Sequence, residues 1–181
     1  MHTLTRRYFL TAGATLAAAL PVLPVAAARA AGKNTSVDIR EYLQNGDWIR
    51  AFNEGFRQTD SIIVPAEVTC DNINAAITIP PGKTLHVAGG LKGNGRGRII
   101  VQKGCQINGS GSGLTMSGYG PVAQIFIGGK DKSSQRNLTI TRLTMTKANY
   151  GILRQGFHNQ WIDVNITHCH FCYLQGDAIE W

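Results

Sequence analysis

The chain has 181 residues, and its 18 Lys and Arg against 11 Asp and Glu residues give a formal charge of +7. This length fits one domain with a substantial core. The 21 glycines and the lack of long helical runs argue against a helical bundle and favour turn-rich β structure. The positive excess suits an acidic partner. Nucleic acid is the obvious candidate, but basic and aromatic residues do not interleave along one element. An anionic polysaccharide fits as well, so composition does not choose between the two.

Residues 1–30 have the features of an export signal. Two arginines precede an aromatic-leucine pair within residues 6–10, an apolar stretch covers residues 12–28, and small residues at 28–30 are typical of a cleavage site. This order resembles the bacterial twin-arginine signal, which exports folded proteins. An ordinary secretory signal that happens to hold two arginines is the alternative. Pro21 and Pro24 interrupt the short apolar stretch, so we expect no stable membrane anchor. We predict a periplasmic protein whose mature domain is residues 31–181.

A helix is predicted ahead of the β-rich part of the chain. Asp47 is a suitable N-cap for a helix that ends at about Arg57. Ile49, Phe52 and Phe56 share one face of this helix. If the strands that follow form stacked turns, such a helix would cover the open first turn. A helix packed elsewhere is the alternative.

Short apolar segments separated by Pro-rich and Gly-rich turns predict strands in the middle of the chain. The polar residues 31–43 predict a linker or a short edge strand. The predicted strands are residues 61–64, 77–79, 84–87, 98–102 and 122–127.

A short pattern recurs in the last seventy or so residues. Leu114-Thr115-Met116 returns as Leu143-Thr144-Met145, and the second copy overlays a third copy 26 positions on. Apolar positions are two, then three, then two apart, which indicates strands joined by a bend. Repeats of this length predict the stacked turns of a β-solenoid. The second and third copies align Leu138, Ile140, Leu143, Met145, Ala148 and Ile152 with Val164, Ile166, Cys169, Phe171, Leu174 and Ala178, and Asn137 and Gly151 with Asp163 and Asp177.

Eight segments of the chain carry a resemblance to known proteins: residues 70–74, 79–86, 93–98, 116–118, 120–122, 149–150, 152–160 and 174–181. They resemble the WcaM family of colanic acid biosynthesis proteins of enteric bacteria. The strand, Pro-Gly and Gly-rich pattern also resembles the first turns of pectin-lyase-type β-helices. The resemblance implies an all-β fold, a right-handed parallel β-helix with a short N-terminal capping helix, and a role in making colanic acid, an acidic slime-layer exopolysaccharide. It implies no assigned reaction.

The resemblance runs from the export signal to the last residue, but proteins of this family are much longer. We therefore expect residues 31–181 to be the N-terminal part of a β-helix that is truncated within a turn. Residues 105–113 look shorter than their counterpart in the family, which leaves the stacking register there open. An uncapped last turn predicts self-association, although the oligomeric state itself stays open.

Carboxylates are the usual groups for cutting glycosidic bonds, and a lyase needs a base and a cation near the substrate carboxylate. Asp177 and Glu180 lie beside the last strand, but positions three apart in a strand face opposite sides unless a bend intervenes. Arg154 and His158 flank the segment that best matches the family. We predict these four as candidate catalytic residues of a polysaccharide lyase or a glycoside hydrolase. Alternatively, Asp177 fixes a turn and Arg154 pairs with it structurally.

Candidate substrate-binding residues are the aromatics near these positions and one exposed lysine. Tyr150, Trp161 and Trp181 can stack on sugar rings, although packing within the core or at its edge is at least as good an explanation. Lys130 lies in the predicted exposed turn of residues 128–132. The function that follows is binding or modification of colanic acid along one face of the solenoid. A non-catalytic accessory protein and a purely structural solenoid are the alternatives.

The four cysteines permit disulfides in an oxidising compartment. Cys169 and Cys172 form a C-x-x-C, with one histidine directly before it and another within it. The sequence has no second C-x-x-C or spaced histidine pair that would complete a zinc site. Cys169 aligns with Leu143 and fits a buried thiol. The Gly-rich residues 93–98 match no phosphate-binding motif. We predict no metal, no cofactor and no nucleic-acid partner.

Overall fold

The computed structural model describes residues 36–128, 135–154 and 161–180, so the predicted export signal lies outside the described residues. No helix in these ranges is long and apolar enough to span a membrane. A 3-10 helix covers Ile39–Tyr42 and the α-helix α1 covers Trp48–Gln58. The strands are β1 Val37–Asp38, β2 Ser61–Val64, β3 Thr69–Ile73, β4 Ala76–Ile79, β5 Thr84–Val87, β6 Gly90–Gly93, β7 Arg98–Val101, β8 Gln106–Thr115, β9 Gly118–Ile127, β10 Gln135–Arg154, β11 Trp161–Thr167, β12 His170–Leu174 and β13 Ile179–Glu180.

All the strand pairings between these elements are parallel, and they form three ladders. The first ladder contains β1, β2, β5, the start of β8, the start of β10, and β11. The second contains β3, β6, the end of β8, the middle of β10, and β12. The third contains β4, β7, β9, the end of β10, and β13. The chain therefore visits the three ladders in order and returns to pair with itself, as stacked turns require.

Apolar side chains stack in columns on the inner side of each ladder and form one continuous core. Because side chains alternate along a strand, each turn contributes the same inward positions to its column. The third ladder carries an all-isoleucine column. The columns are Val37, Ile62, Leu85, Ile107, Ile140 and Ile166 in the first ladder; Cys70, Leu91, Leu114, Met145 and Phe171 in the second; and Ile77, Ile99, Ile125, Ile152 and Ile179 in the third.

The predicted helix and its N-cap are confirmed. The Asp47 carboxylate accepts a 2.9 Å hydrogen bond from the Arg50 backbone N–H, which satisfies a free donor of the first turn. Phe52 and Phe56 are buried with their ring centroids 6.4 Å apart. The helix contacts β2, β3 and β4, the early strands of the three ladders. It thus lies against the beginning of the core, where the sequence placed it.

Lys83 connects this helix to the next turn of the first ladder. Its Nζ donates to the carbonyl oxygen of Phe56 and, at 2.8 Å, to that of Thr59, and it lies 3.5 Å from an Asp60 carboxylate oxygen. Carbonyl groups at a helix C-terminus lack intrahelical partners, and a lysine near them is favourable. Lys83 therefore supplies the C-terminal cap of α1 from 24 residues beyond Thr59.

The predicted strands are found, but two details of the repeat were wrong. Leu114 pairs with Met145 and not with Leu143. Ile107 pairs with Ile140, and the register shifts between Thr141 and Leu143, so that Leu143 lies opposite Ser112. Ile152 pairs with Ile179 and not with Ala178. The 26-residue overlay is confirmed at Leu138, Ile140, Met145 and Ala148, which pair with Val164, Ile166, Phe171 and Leu174. The strand expected at residues 122–127 begins earlier, at Gly118.

Candidate functional site

Three of the predicted catalytic residues lie at the end of the third ladder. Arg154 is the last residue of β10, is half-buried, and pairs in register with the buried Ile127. Glu180 pairs with Leu153, the residue before Arg154. Since consecutive residues of a strand point to opposite faces, Glu180 shares the face of Leu153 and not that of Arg154. The structure thus brings Arg154 and Glu180 to neighbouring strands without placing them on one face.

Asp177 is exposed in the turn that leads into β13. Its backbone carbonyl accepts a 3.2 Å hydrogen bond from the Gly151 N–H, so its main chain continues the ladder. This contact involves the main chain only, so the alternative that the Asp177 side chain fixes the turn also stays a prediction. The catalytic assignments of Arg154, Asp177 and Glu180 remain predictions.

Tyr150 lies against the neighbouring turn. A Cβ atom added to Gly176 would be 2.9 Å from Tyr150 Cε1, so the ring lies close over that glycine, and Tyr150 is half-buried. Trp161 begins β11 and pairs with Gln135, but its side chain is not among those described. His158, Lys130 and Trp181 lie outside the described residues, and their roles also stay predictions.

The outer side of the first ladder carries hydroxyl and amide groups in register. One column holds Thr84, Gln106, Thr139 and Asn165, and the adjacent one holds His86, Asn108, Thr141 and Thr167. Thr141 and Thr167 bond to each other through their Oγ1 atoms at 3.1 Å. Such groups both donate and accept hydrogen bonds, as sugar hydroxyls do. This uncharged surface can contact a saccharide without attracting it over a distance.

Charge is strongly segregated along the chain, a signal that the overall composition concealed. Residues 72–162 contain eleven Lys and Arg residues and a single acidic residue, Asp131. We call residues 72–162 the basic segment. It supplies β4 to β10, which are consecutive strands of all three ladders. Stacking therefore sums these charges into a positive field over adjoining turns. Exposed basic residues described in it are Lys92, Arg96, Lys103, Arg136, Arg142 and Lys147.

On the outer side of the second ladder, the middle of β10 pairs with β12 of the last turn, and the Lys and Arg residues of this pair all come from β10, since residues 161–180 contain none. Thr144 pairs with His170, and Thr146 with Cys172. The corners beside these strands carry the exposed Arg142, Lys147 and His168. The sequence has no Asp or Glu in residues 138–154 or 164–176. Cations, imidazoles and hydroxyls thus occur together without a competing carboxylate, a combination that suits an anionic and hydroxyl-rich ligand.

The cysteines are free thiols in the structure. Cys70 is fully buried, and burial raises its pKa to about 12. The Cys105 Sγ donates to the carbonyl oxygens of Ile79 and Pro80 at 3.4 and 3.1 Å. Burial also raises the pKa of the half-buried Cys169, which packs against the core. These environments suit inert structural thiols. Within the described ranges, no three His, Cys, Asp or Glu side chains are grouped to hold a metal.

Comparison with known proteins gives consistent matches. The family model described as colanic acid biosynthesis WcaM matches residues 1–181. The colanic acid biosynthesis protein WcaM of Shigella flexneri is 52% identical over 197 aligned residues, which cover 99% of this chain and 41% of the relative. The protein of the same name from Salmonella typhimurium is 50% identical over 195 residues, covering 98% and 41%. The chain thus spans about two fifths of the length of these relatives. No solved structure matches it.

Proposed function

The chain belongs to the WcaM family of colanic acid biosynthesis proteins, and on that premise we propose that it binds the acidic polysaccharide itself. The ligand lies across the outer surface of the basic segment. The fold is a right-handed parallel β-helix, and the protein acts in the periplasm after export by a twin-arginine-type signal. Its role is to bind and guide the polymer during biosynthesis.

The observation that carries this proposal is the charge segregation. Six of the seven acidic residues between Asp38 and Asp71 precede β3, whereas the strands from β4 to β10 come from a segment with a single acidic residue. A polymer with repeated negative charges gains attraction from each cation that it passes, and the total grows with the number of turns contacted. The neutral columns of the first ladder add hydrogen-bonding groups for the sugar hydroxyls.

The parallel pairing supports the β-helix. Strands of the third ladder recur at Ile99, Ile125, Ile152 and Ile179, 26 or 27 positions apart, with no antiparallel pair among the described strands. Parallel neighbours joined through other ladders favour right-handed connections. The arrangement agrees with the pectin-lyase-type resemblance of the sequence.

Binding is tested with purified colanic acid, with dextran as the uncharged control polymer. The variant combines Lys92→Gln, Lys103→Gln and Arg136→Gln, three exposed cations of the basic segment. We expect wild type to bind colanic acid but not dextran, and the variant to bind at least about tenfold more weakly. Higher salt should weaken binding as well. The matched control is Arg50→Gln, an exposed cation outside the segment, which should leave the affinity unchanged. Equal binding of both polymers would contradict the proposal.

The catalytic alternative is separated by measuring polymer length after incubation with the protein. A lyase or glycoside hydrolase shortens the polymer, and Asp177→Asn, Glu180→Gln or Arg154→Ala should then prevent the shortening. We expect the length to stay constant. Shortening by wild type would make the protein an enzyme.

Export is tested by cell fractionation. Replacing Arg6 and Arg7 together by lysine should keep the precursor in the cytoplasm, because the twin-arginine pathway reads that pair. Unchanged arrival in the periplasm would favour an ordinary secretory signal.

A further inference from the structure

Three corners of the last two turns are built from residues with a left-handed backbone. Their φ values lie between 53° and 56°, and each residue of one turn has its counterpart 26 positions on. The three columns are Asn137 with Asp163, Arg142 with His168, and Lys147 with Tyr173.

The residue types differ between these corners in a way that the backbone does not explain. A positive φ is most often tolerated by Asn, Asp and His, and the short polar side chains of Asn and Asp offset its steric cost by local hydrogen bonds. The column of Asn137 and Asp163 follows this rule. Arg142, Lys147 and Tyr173 do not, and a bulky aromatic residue in this region is a clear outlier. Local strain of this kind is retained where the side chain serves a function.

Tyr173 does not use its ring for packing. Its relative exposure is 75%, and it is the only exposed large hydrophobic residue among the side chains that the structure describes. Adjacent parallel strands lie about 4.8 Å apart, so the backbone of exposed Lys147 is one strand spacing from that of Tyr173. An aromatic face and a cation are thus presented side by side at one corner of the second ladder.

We propose that Tyr173 is a stacking platform for a sugar ring of an anionic polysaccharide, and that Lys147 pairs with an acidic group of the same bound segment. The inference rests on the proposed function and deepens it by assigning a subsite. Sugar rings present apolar C–H faces that an aromatic ring can cover, while the phenol hydroxyl remains available for hydrogen bonding. The lysine at the neighbouring turn would select for a negative charge there. Strain in the backbone is the cost of holding both side chains outward.

The test compares the stability and the binding of the same variants of the full chain. Tyr173→Asn places a tolerated residue at φ 55°, so we expect the melting temperature to rise by about 2–4 °C. The affinity for colanic acid should fall at least about tenfold. Tyr173→Phe keeps the aromatic face and should retain most of the affinity. Lys147→Asn should likewise raise the melting temperature and weaken binding. Asp163→Asn, at the corner with ordinary residues, is the matched control, which should leave the melting temperature unchanged and should not weaken binding.

Two results would overturn the inference. Binding of Tyr173→Asn equal to that of wild type removes the subsite, and a fall in its melting temperature removes the strain on which the argument depends. Suppose that wild type binds colanic acid and the triple variant of the basic segment binds it weakly, while the Tyr173 variants bind as wild type does. That result would contradict the subsite alone and leave the proposed function standing. If wild type does not bind, the subsite and the proposed function fail together.

Discussion

Gln124 donates a 2.7 Å hydrogen bond from its side-chain Nε2 to the carbonyl oxygen of Thr146, which belongs to the next turn. Its Oε1 accepts from the backbone N–H groups of Met116 and Ser117 at 3.0 and 3.3 Å. Gln124 is fully buried. One amide therefore satisfies three main-chain groups at the corner where the second ladder leads into the third.

Replacing Gln124 by leucine should destabilise the protein by about 2–4 kcal/mol, because three buried polar groups lose their partner. Urea unfolding followed by circular dichroism measures this change. Gln106→Leu, at an exposed position of the first ladder, is the control and should stay within about 0.5 kcal/mol of wild type. Equal stability of the two variants would mean that water replaces the Gln124 amide.

Gly109 occupies an inward position of the first ladder, where Val87 stands one turn earlier. A Cβ atom there would lie 2.1 Å from the Arg142 carbonyl oxygen, which is main chain and cannot move aside alone. We expect Gly109→Ala to cost about 1–3 kcal/mol in the free energy of unfolding. Gly113→Ala is the matched control, since a Cβ at Gly113 meets nothing within 4 Å. The difference between the two midpoints in urea is the decisive quantity.

His86 predicts a pH dependence of stability. Burial on the outer side of the first ladder lowers its pKa from the ordinary value of 6.5. The unfolded chain therefore binds the proton at a higher pH than the folded one, and stability is lost as the pH falls below about 6.5. In His86→Gln, stability should decline less between pH 7.5 and pH 5. Parallel curves for the two proteins would show that His86 is not responsible.

The cysteines should differ in reactivity towards iodoacetamide. Burial raises the pKa of Cys70 to about 12, so almost no thiolate forms at pH 8, and the thiol is also inaccessible. Cys172 is half-buried on the outer side of β12. Mass spectrometry should find Cys172 modified in the native protein, with Cys70 and Cys105 modified only after unfolding. Early labelling of Cys70 would indicate local opening of the second ladder.

Local elements were predictable because their signals are local. The N-cap at Asp47, the face of Phe52 and Phe56, and the strand at Ser61–Val64 depend on neighbours within a few residues. Stacking register is not local. The segments that begin at Leu114 and Leu143 have the same sequence, but this identity does not set their pairing. The pairing is set by the unequal numbers of residues between Asn108 and Ser112 and between Thr141 and Leu143, and it places Leu114 opposite Met145.

The candidate site shows the same division. Chemistry-bearing residues such as Asp177 and Glu180 could be selected by type, yet their faces depend on where β13 pairs. The positive φ of Lys147 and Tyr173 has no signature in residue type, since neither residue favours that conformation. The shortage of acidic residues in the basic segment is visible in the sequence. That these charges lie on adjoining turns follows only from the strand pairing.

Lys83 has a consequence for the order of assembly. The carbonyl groups of Phe56 and Thr59 wait for a partner that is synthesised 24–27 residues later. We therefore expect helix α1 to gain this C-terminal cap only after Lys83 has been synthesised and β5 has paired with β2. Pairing of the second turn and stabilisation of the helix C-terminus are then coupled, because both depend on the position of Lys83.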